Sequence, residues 1–199
     1  MTPADLYRRL IESGQPPSGC TGFDAHIVAA IIALSVVEAS AEQARVVDHL
    51  GLDPEEMVAL VAEFFPAAQP VFAQLATGGP VERDETEILL VDLLTRTATD
   101  RSELQLRLAR MIARRCLRPN HLWQDLGLRN RRELSWLMER HFESLAAKNA
   151  QDMKWKKFLY RTICRDADHS ICPVPVCDDC DDFDQCFGEE KGTSVLAAG

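Results

Sequence analysis

Four cysteines stand within fifteen residues near the C-terminal end: Cys172, Cys177, Cys180 and Cys186, spaced C-x4-C-x2-C-x5-C. Thiolates this close together can converge on one centre. As soft donors they suit zinc, copper(I) or an iron–sulfur cluster. Pro173 and Pro175 keep the backbone out of a helix that would fan the thiols around an axis. Zinc fingers and ribbons pair short knuckles across a longer stretch, whereas here all four thiols lie in one run. The first three share the C-x4-C-x2-C spacing of plant-type ferredoxins. Spacing therefore favours an iron–sulfur cluster over zinc. Asp178, Asp179, Asp181, Asp182 and Asp184 stand among these cysteines. Negative charge beside a cluster disfavours its reduction. The same aspartates would also solvate an exposed loop, or set its affinity for a basic partner surface.

Three further cysteines lie outside the array. Cys164 precedes Cys172 by eight residues. It reads either as a fifth thiolate or as a helix-end residue packed beside Trp155 or Leu159. Cys116 follows Ile112 at i+4 on a helix, and Cys20 sits in a Gly/Pro/Ser loop; both read as ordinary thiols. His169, three residues before Cys172, is an imidazole able to ligate a metal or shuttle a proton. Its plainer reading is a solvent-exposed loop histidine. His141 falls on an apolar helical stripe and reads as a hydrogen-bonded core residue. His121, with Trp123 and Asp125, begins a segment that could flank a metal entry path. His26 and His49 have no sequence company that suggests chemistry.

Charge is unevenly distributed along the 199 residues. Residues 1–100 hold 5 basic and 16 acidic side chains; residues 101–161 hold 15 and 6; residues 162–199 hold 2 and 9. The net charge of −9 therefore hides a basic middle between acidic ends. Arg129, Arg131, Arg132, Lys154, Lys156, Lys157 and Arg161 read as a solvated helix face or as an anion-attracting region. Nucleic-acid binding is disfavoured, because the acidic flanks would repel DNA. No transmembrane helix is expected, since the longest apolar run, Ile27 to Val37, is short and includes Ser35. The N-terminal residues MTPADLYRRL show no secretory pattern, so a cytoplasmic setting and reduced thiols are expected.

The elements that must position the cysteines read as helices throughout. Residues 24–38 are apolar on most faces and predict a central buried helix. Ser40 with Gln43 forms a capping-box pattern for a second helix ending at Gly51. Asp53-Pro54-Glu55-Glu56 starts a third, stopped by Pro66. Residues 67–80 read as loop. Helices are expected near 84–97 and 102–117, the latter with the core stripe Leu104, Leu108, Met111 and Ile112. Asn130 with Glu133 forms another capping-box pattern, opening a helix with Leu134, Leu137, Met138, His141, Phe142 and Leu145 on one face. A last helix near 152–163 buries Trp155, Phe158, Leu159 and Thr162 and turns Lys154, Lys157 and Arg161 the other way. The pattern predicts an all-α fold: a compact multi-helix body over 1–163 and an irregular cysteine-rich segment over 164–199, packed on it or tethered to it. That segment has almost no apolar residues of its own, so a bound metal centre would supply the missing constraint.

The stretch HLWQDLGLRNRRELSWLMERHFESLAAKNAQDMKWKKFLYRTIC over 121–164, followed by the cysteine array and Phe187-Gly188, resembles the NifQ family of nitrogen-fixation proteins. The resemblance is dense over about 120–188, with helical segment and array in the same order. It implies an iron–sulfur protein that carries molybdenum in a Mo–Fe–S cluster and donates it for assembly of the nitrogenase iron–molybdenum cofactor. It implies action with the nitrogenase iron protein and the NifEN scaffold, and cluster ligation by Cys172, Cys177, Cys180 and Cys186. Lys154, Lys157 and Arg161, leading into the array, are expected to guide molybdate. No G-x-S-x-G, H-E-x-x-H or Walker pattern occurs, so a metallocluster carrier is expected rather than an enzyme. The alternatives are a redox or regulatory iron–sulfur protein without molybdenum, and a helical adaptor with a structural zinc site.

Overall fold

The computed structural model describes residues 1–166, 187, 189–194 and 196. Among these every regular element is helical. The chain builds around α2 (Gly22–Glu42), whose residues from Ala25 to Leu34 are all buried. Its apolar side chains on every face leave no polar stripe to turn outward, so other helices must surround it. Each fully buried Ile or Val here contributes about 1.5–3 kcal/mol relative to exposure. Among the described residues this helix alone is long and apolar enough to cross a membrane by length and composition, and 72% of its most apolar 18-residue stretch is buried inside the body. The helix is longer than residues 24–38, because Thr21 and Asp24 cap it early and Gln43, in the left-handed region, ends it. Ser40 is therefore inside α2 and starts no new helix.

The chain turns at Arg45 into α3 (Val46–Leu50), which ends as expected at Gly51. A side chain at Gly51 would stand 2.6 Å from Arg114 Cβ, at a φ of +75°. Only glycine allows that approach. α4 (Pro54–Phe64) begins as the sequence predicts: Glu56 accepts the Asp53 N–H at 3.2 Å, and Asp53 Oδ1 accepts that of Val81 at 2.8 Å. The stretch after Pro66 is not simply loop. A 3-10 turn over Pro66–Ala68 leads into α5 (Gln69–Leu75), which buries Phe72. Phe72 supplies the apolar contact that outweighs the weak helical pattern around it.

α6 (Glu85–Thr97) and α7 (Glu103–Cys116) take their expected positions with Asp84 and Ser102 as N-caps. The stripe Leu104, Leu108, Met111 and Ile112 is buried. A one-turn helix, α8 (Leu122–Asp125), precedes α9 (Arg131–His141) and the short α10 (Glu143–Ala146). Asn130 caps α9, but Glu133 completes no box with it; its carboxylate accepts the Arg129 N–H at 2.8 Å instead. α11 (Trp155–Asp166) closes the described body and buries Trp155, Leu159 and Ile163, with Phe158 and Thr162 half-buried. It continues past residue 163, so Cys164 stands on the helix. An N-terminal helix, α1 (Pro3–Glu12), is absent from the sequence reading although Thr2 and Asp5 form a full capping box.

The basic middle meets the acidic N-terminal half inside the fold. Along α7, Arg107 pairs with Glu63 at 2.8 Å, Arg110 with Glu56 at 2.7 Å, Arg114 with Glu87 at 2.9 Å and Arg115 with Glu38 at 2.7 Å. Just beyond it Arg118 pairs with Glu42 at 2.5 Å. Arg115 is 0% exposed and also donates from Nε to the Asp125 carbonyl. Burial by itself would raise the Glu38 pKa, but the facing His49, Arg115 and Arg118 hold it at about 2. A carboxylate so depressed stabilises the fold above its ordinary 4.5, and that contribution disappears as pH falls toward 2. Asp24 and Glu133 are lowered too, Asp24 by His141 and Arg140, Glu133 by His26 and Arg129, in each case against burial.

Two outcomes are expected. The urea midpoint should be flat above about pH 5 and fall steeply between 4.5 and 2. Arg115→Ala should cost about 3–5 kcal/mol, since it empties a fully buried site and takes from Glu38 its nearest cation, whereas Arg115→Met with Glu38→Leu should recover most of the loss. Equal stability of the single and double variants would show that the buried charge pair is not what Arg115 contributes.

Candidate metal centre

Cys172, Cys177, Cys180 and Cys186, together with His169, lie outside the described residues. What the structure describes is the frame on either side of them. On the entering side, α11 is held to the body by Trp155, Leu159 and Ile163 and by the Lys156 ammonium. That ammonium bonds the Asp125 carboxylate on α8 and donates to the Arg118 carbonyl at 2.5 Å. Lys156 is thus a structural anchor rather than part of an outward basic face. Cys164, two turns further along α11, is half-buried against the edge of the core.

On the returning side, Phe187 is buried and Ser194 is buried, and Leu196 packs against the core. Between them Glu190 has a side chain only 2% exposed, with Oε1 3.6 Å from His121 Nδ1 and Oε2 3.9 Å from Arg131 Nε. Burial raises its pKa, opposed by Arg131, His121 and Lys154. The Gln124 amide donates to the Thr193 carbonyl at 3.4 Å. His121 therefore flanks the segment that follows the last cysteine, and it caps α8 as well. Both ends of the cysteine segment rest on the α8 region, one through Lys156 and the other through His121 and Gln124.

The expected anion-guiding residues take different positions. Arg161 lines a cavity at the end of α11, Lys154 lies near enough to Glu190 to oppose its pKa rise, and Lys157 is exposed. Arg131 holds Asp152 at 2.8 Å. Among the described residues no three His, Cys, Asp or Glu side chains converge to hold a metal ion. Cys116 is a core thiol whose pKa burial pushes up to about 12, and burial raises that of Cys20. His141 is the hydrogen-bonded core histidine the sequence suggests, 2.9 Å from Asp24.

His26 and His49 have partners that the sequence did not reveal. His26 bridges Tyr7 at 2.8 Å and Glu133 at 3.0 Å, and His49 lies within 3.6 Å of Glu38 and 3.4 Å of Glu42. The Tyr7–His26–Glu133 chain ties α1, α2 and α9 together. Glu190 was also unforeseen. Its only sequence signal was a carboxylate placed shortly after the last cysteine.

Glu190→Gln should loosen the returning side alone. Backbone hydrogen exchange over 189–194 is expected to quicken about fivefold, in line with the ~1 kcal/mol of a modest ion pair. Protection of α7 and α9 should not change. Unaltered exchange over 189–194 would show that this carboxylate does not anchor the segment.

The NifQ family model matches residues 27–188, a span that includes all four array cysteines. A NifQ homolog of Sinorhizobium fredii is 36% identical over 177 residues, which cover 89% of this chain and 77% of that protein. NifQ of Rhodobacter capsulatus is 36% identical over 160 residues, 80% of this chain and 87% of its own. NifQ of Azotobacter vinelandii is 36% identical over 154 residues, 71% and 78% of the two chains. No solved structure matches the chain. Agreement along most of both lengths, from the core helix α2 through the cysteine array, means that this chain belongs to the NifQ family.

Proposed function

We propose that this chain serves nitrogen fixation as a carrier. It would hold molybdenum in a Mo–Fe–S cluster and donate it to assembly of the nitrogenase iron–molybdenum cofactor. The observation that carries this reading is a family match running unbroken through four cysteines within fifteen residues. The donor set fits: four soft thiolates suit iron, sulfide-bridged clusters and molybdenum better than hard cations. Cys172, Cys177, Cys180 and Cys186 would hold the cluster. Cys164, on the edge of the core at the end of α11, is a candidate fifth thiolate. A bound cluster supplies the cross-link that a segment poor in apolar residues lacks.

The body's share of the work is positional. α11 and the Glu190 contacts fix where the segment leaves and rejoins the body. The rigid frame would then present the cargo at one place on the surface, toward partners such as the NifEN scaffold and the nitrogenase iron protein. Lys154, Lys157 and Arg161 would offset thiolate charge and guide molybdate.

Anaerobic purification followed by iron, sulfide, molybdenum and zinc analysis tests the reading. Iron, sulfide and molybdenum together are expected. Iron and sulfide without molybdenum would indicate a redox or regulatory cluster, and zinc alone a structural site. Single Cys→Ser changes at 172, 177, 180 or 186 should remove most of the iron and the visible charge-transfer absorption, since a hard alcohol replaces a soft thiolate. Cys116→Ser and Cys20→Ser should leave both intact. Full absorption in all four array variants would refute the ligand assignment.

A further inference from the structure

α9 turns Leu134, Leu137, Met138 and His141 into the core. Its outer side carries Arg132, Trp136 and Glu139, all exposed and spaced at i, i+4 and i+7, so that they line up along one face. Trp136 is 49% exposed. Phe23, at the start of α2, meets its ring edge-on with centroids 6.2 Å apart. A shallow groove of about 510 Å³ opens beside the two rings, lined also by Glu139 and Arg140. Adjoining aromatic rings left in water mark a surface that a partner covers. The charges on either side of Trp136 run in one direction. Arg132 stands in the first turn of α9 and Glu139 in the last. The helix dipole prefers the reverse, acid at the start and base at the end. Glu133 at one end and Arg140 and His141 at the other already meet that preference. Among the described residues neither Arg132 nor Glu139 has an ion-pair partner. Their arrangement is therefore not explained by the stability of α9 itself.

We propose that this face binds a second copy of the chain, with the two α9 helices antiparallel. Pairing about a two-fold axis requires a patch that complements itself. With the axis between Ser135 and Trp136, Arg132 stands opposite Glu139 of the second copy, and Glu139 opposite its Arg132. Trp136 then lies over the small, half-buried Ser135 of the second copy and toward the groove beside its Phe23. Covering the tryptophans supplies the attraction, and the charge pairs set direction and register. A partner with a uniformly acidic or uniformly basic face would match only one end of the stripe. Two chains of net charge −9 repel at a distance, so the pair forms by contact and is weak. Pairing uses the helical body alone and holds whether or not the chain carries molybdenum.

Sedimentation velocity of the full chain, with reductant present to exclude disulfide dimers, should show a concentration-dependent monomer–dimer equilibrium. Trp136→Ala should weaken the dimer about tenfold or more. Arg132→Glu and Glu139→Arg should each do the same, because each sets like charges opposite one another across the axis. Both reversals suit the dipole of α9, so helicity and the urea midpoint should hold or rise slightly. An equimolar mixture of the two single reversals should dimerise again, since in the mixed pair every position 132 faces the opposite sign at position 139. A wild type that stays monomeric up to about 1 mM would overturn the proposal and leave this face to a different protein. A dimer indifferent to all three changes, or a mixture that fails to recover, would overturn it as well.

Discussion

A guanidinium with no exposed surface must be surrounded by acceptors, and Arg115 finds them on two other elements. Glu38 on α2 takes one nitrogen, and the Asp125 carbonyl on α8 takes another. The Asp125 carboxylate in turn holds Lys156 on α11 and accepts from Asn120 at 3.0 Å. One buried polar chain thus links the central helix to the helix from which the cysteine segment departs. Such a chain gains little stability over an apolar replacement, since desolvation offsets most of the attraction. Its value lies in geometry. Hydrogen bonds tolerate only a narrow range of distance and direction, so the position of α11 is fixed relative to α2.

The same economy explains the charge pattern. An acidic half and a basic middle look in the sequence like a surface with a field. In the fold, five arginines on and after α7 face glutamates from α2, α4 and α6, and the field largely cancels. Asp24 and Arg140, 116 residues apart, cancel in the same way.

Close packing fixes the rest of the frame. Gly127 sits at φ +70°, and a side chain there would lie 2.7 Å from the Ala30 carbonyl. The turn between α8 and α9 therefore lies directly on the central helix. This brings Gln124 and His121 to the place where the chain returns after Cys186. The two ends of the cysteine segment share one support because the α8 turn is pressed onto the core.

Much of this was readable from residues alone. The starts of α4 and α7 followed from Asp53-Pro54 and Ser102, and the span of α6 from its periodicity, since caps and periodicity are local properties. The stripes of α7 and α9 and the core role of His141 were legible for the same reason. The cysteine array was legible as chemistry, because thiolate spacing constrains a metal site before any fold exists. Other features belonged to the tertiary structure. Ser40 was drawn into α2 because burying apolar neighbours outweighed a capping pattern. Glu133 left its capping box for Arg129 and His26. Arg115 could not be told from its exposed-looking neighbours, because its partner Glu38 is 77 residues away in sequence. Lys156 and Glu190 were hidden likewise. Charge pairing depends on which side chains packing brings within a few ångströms, and a sequence records only their order.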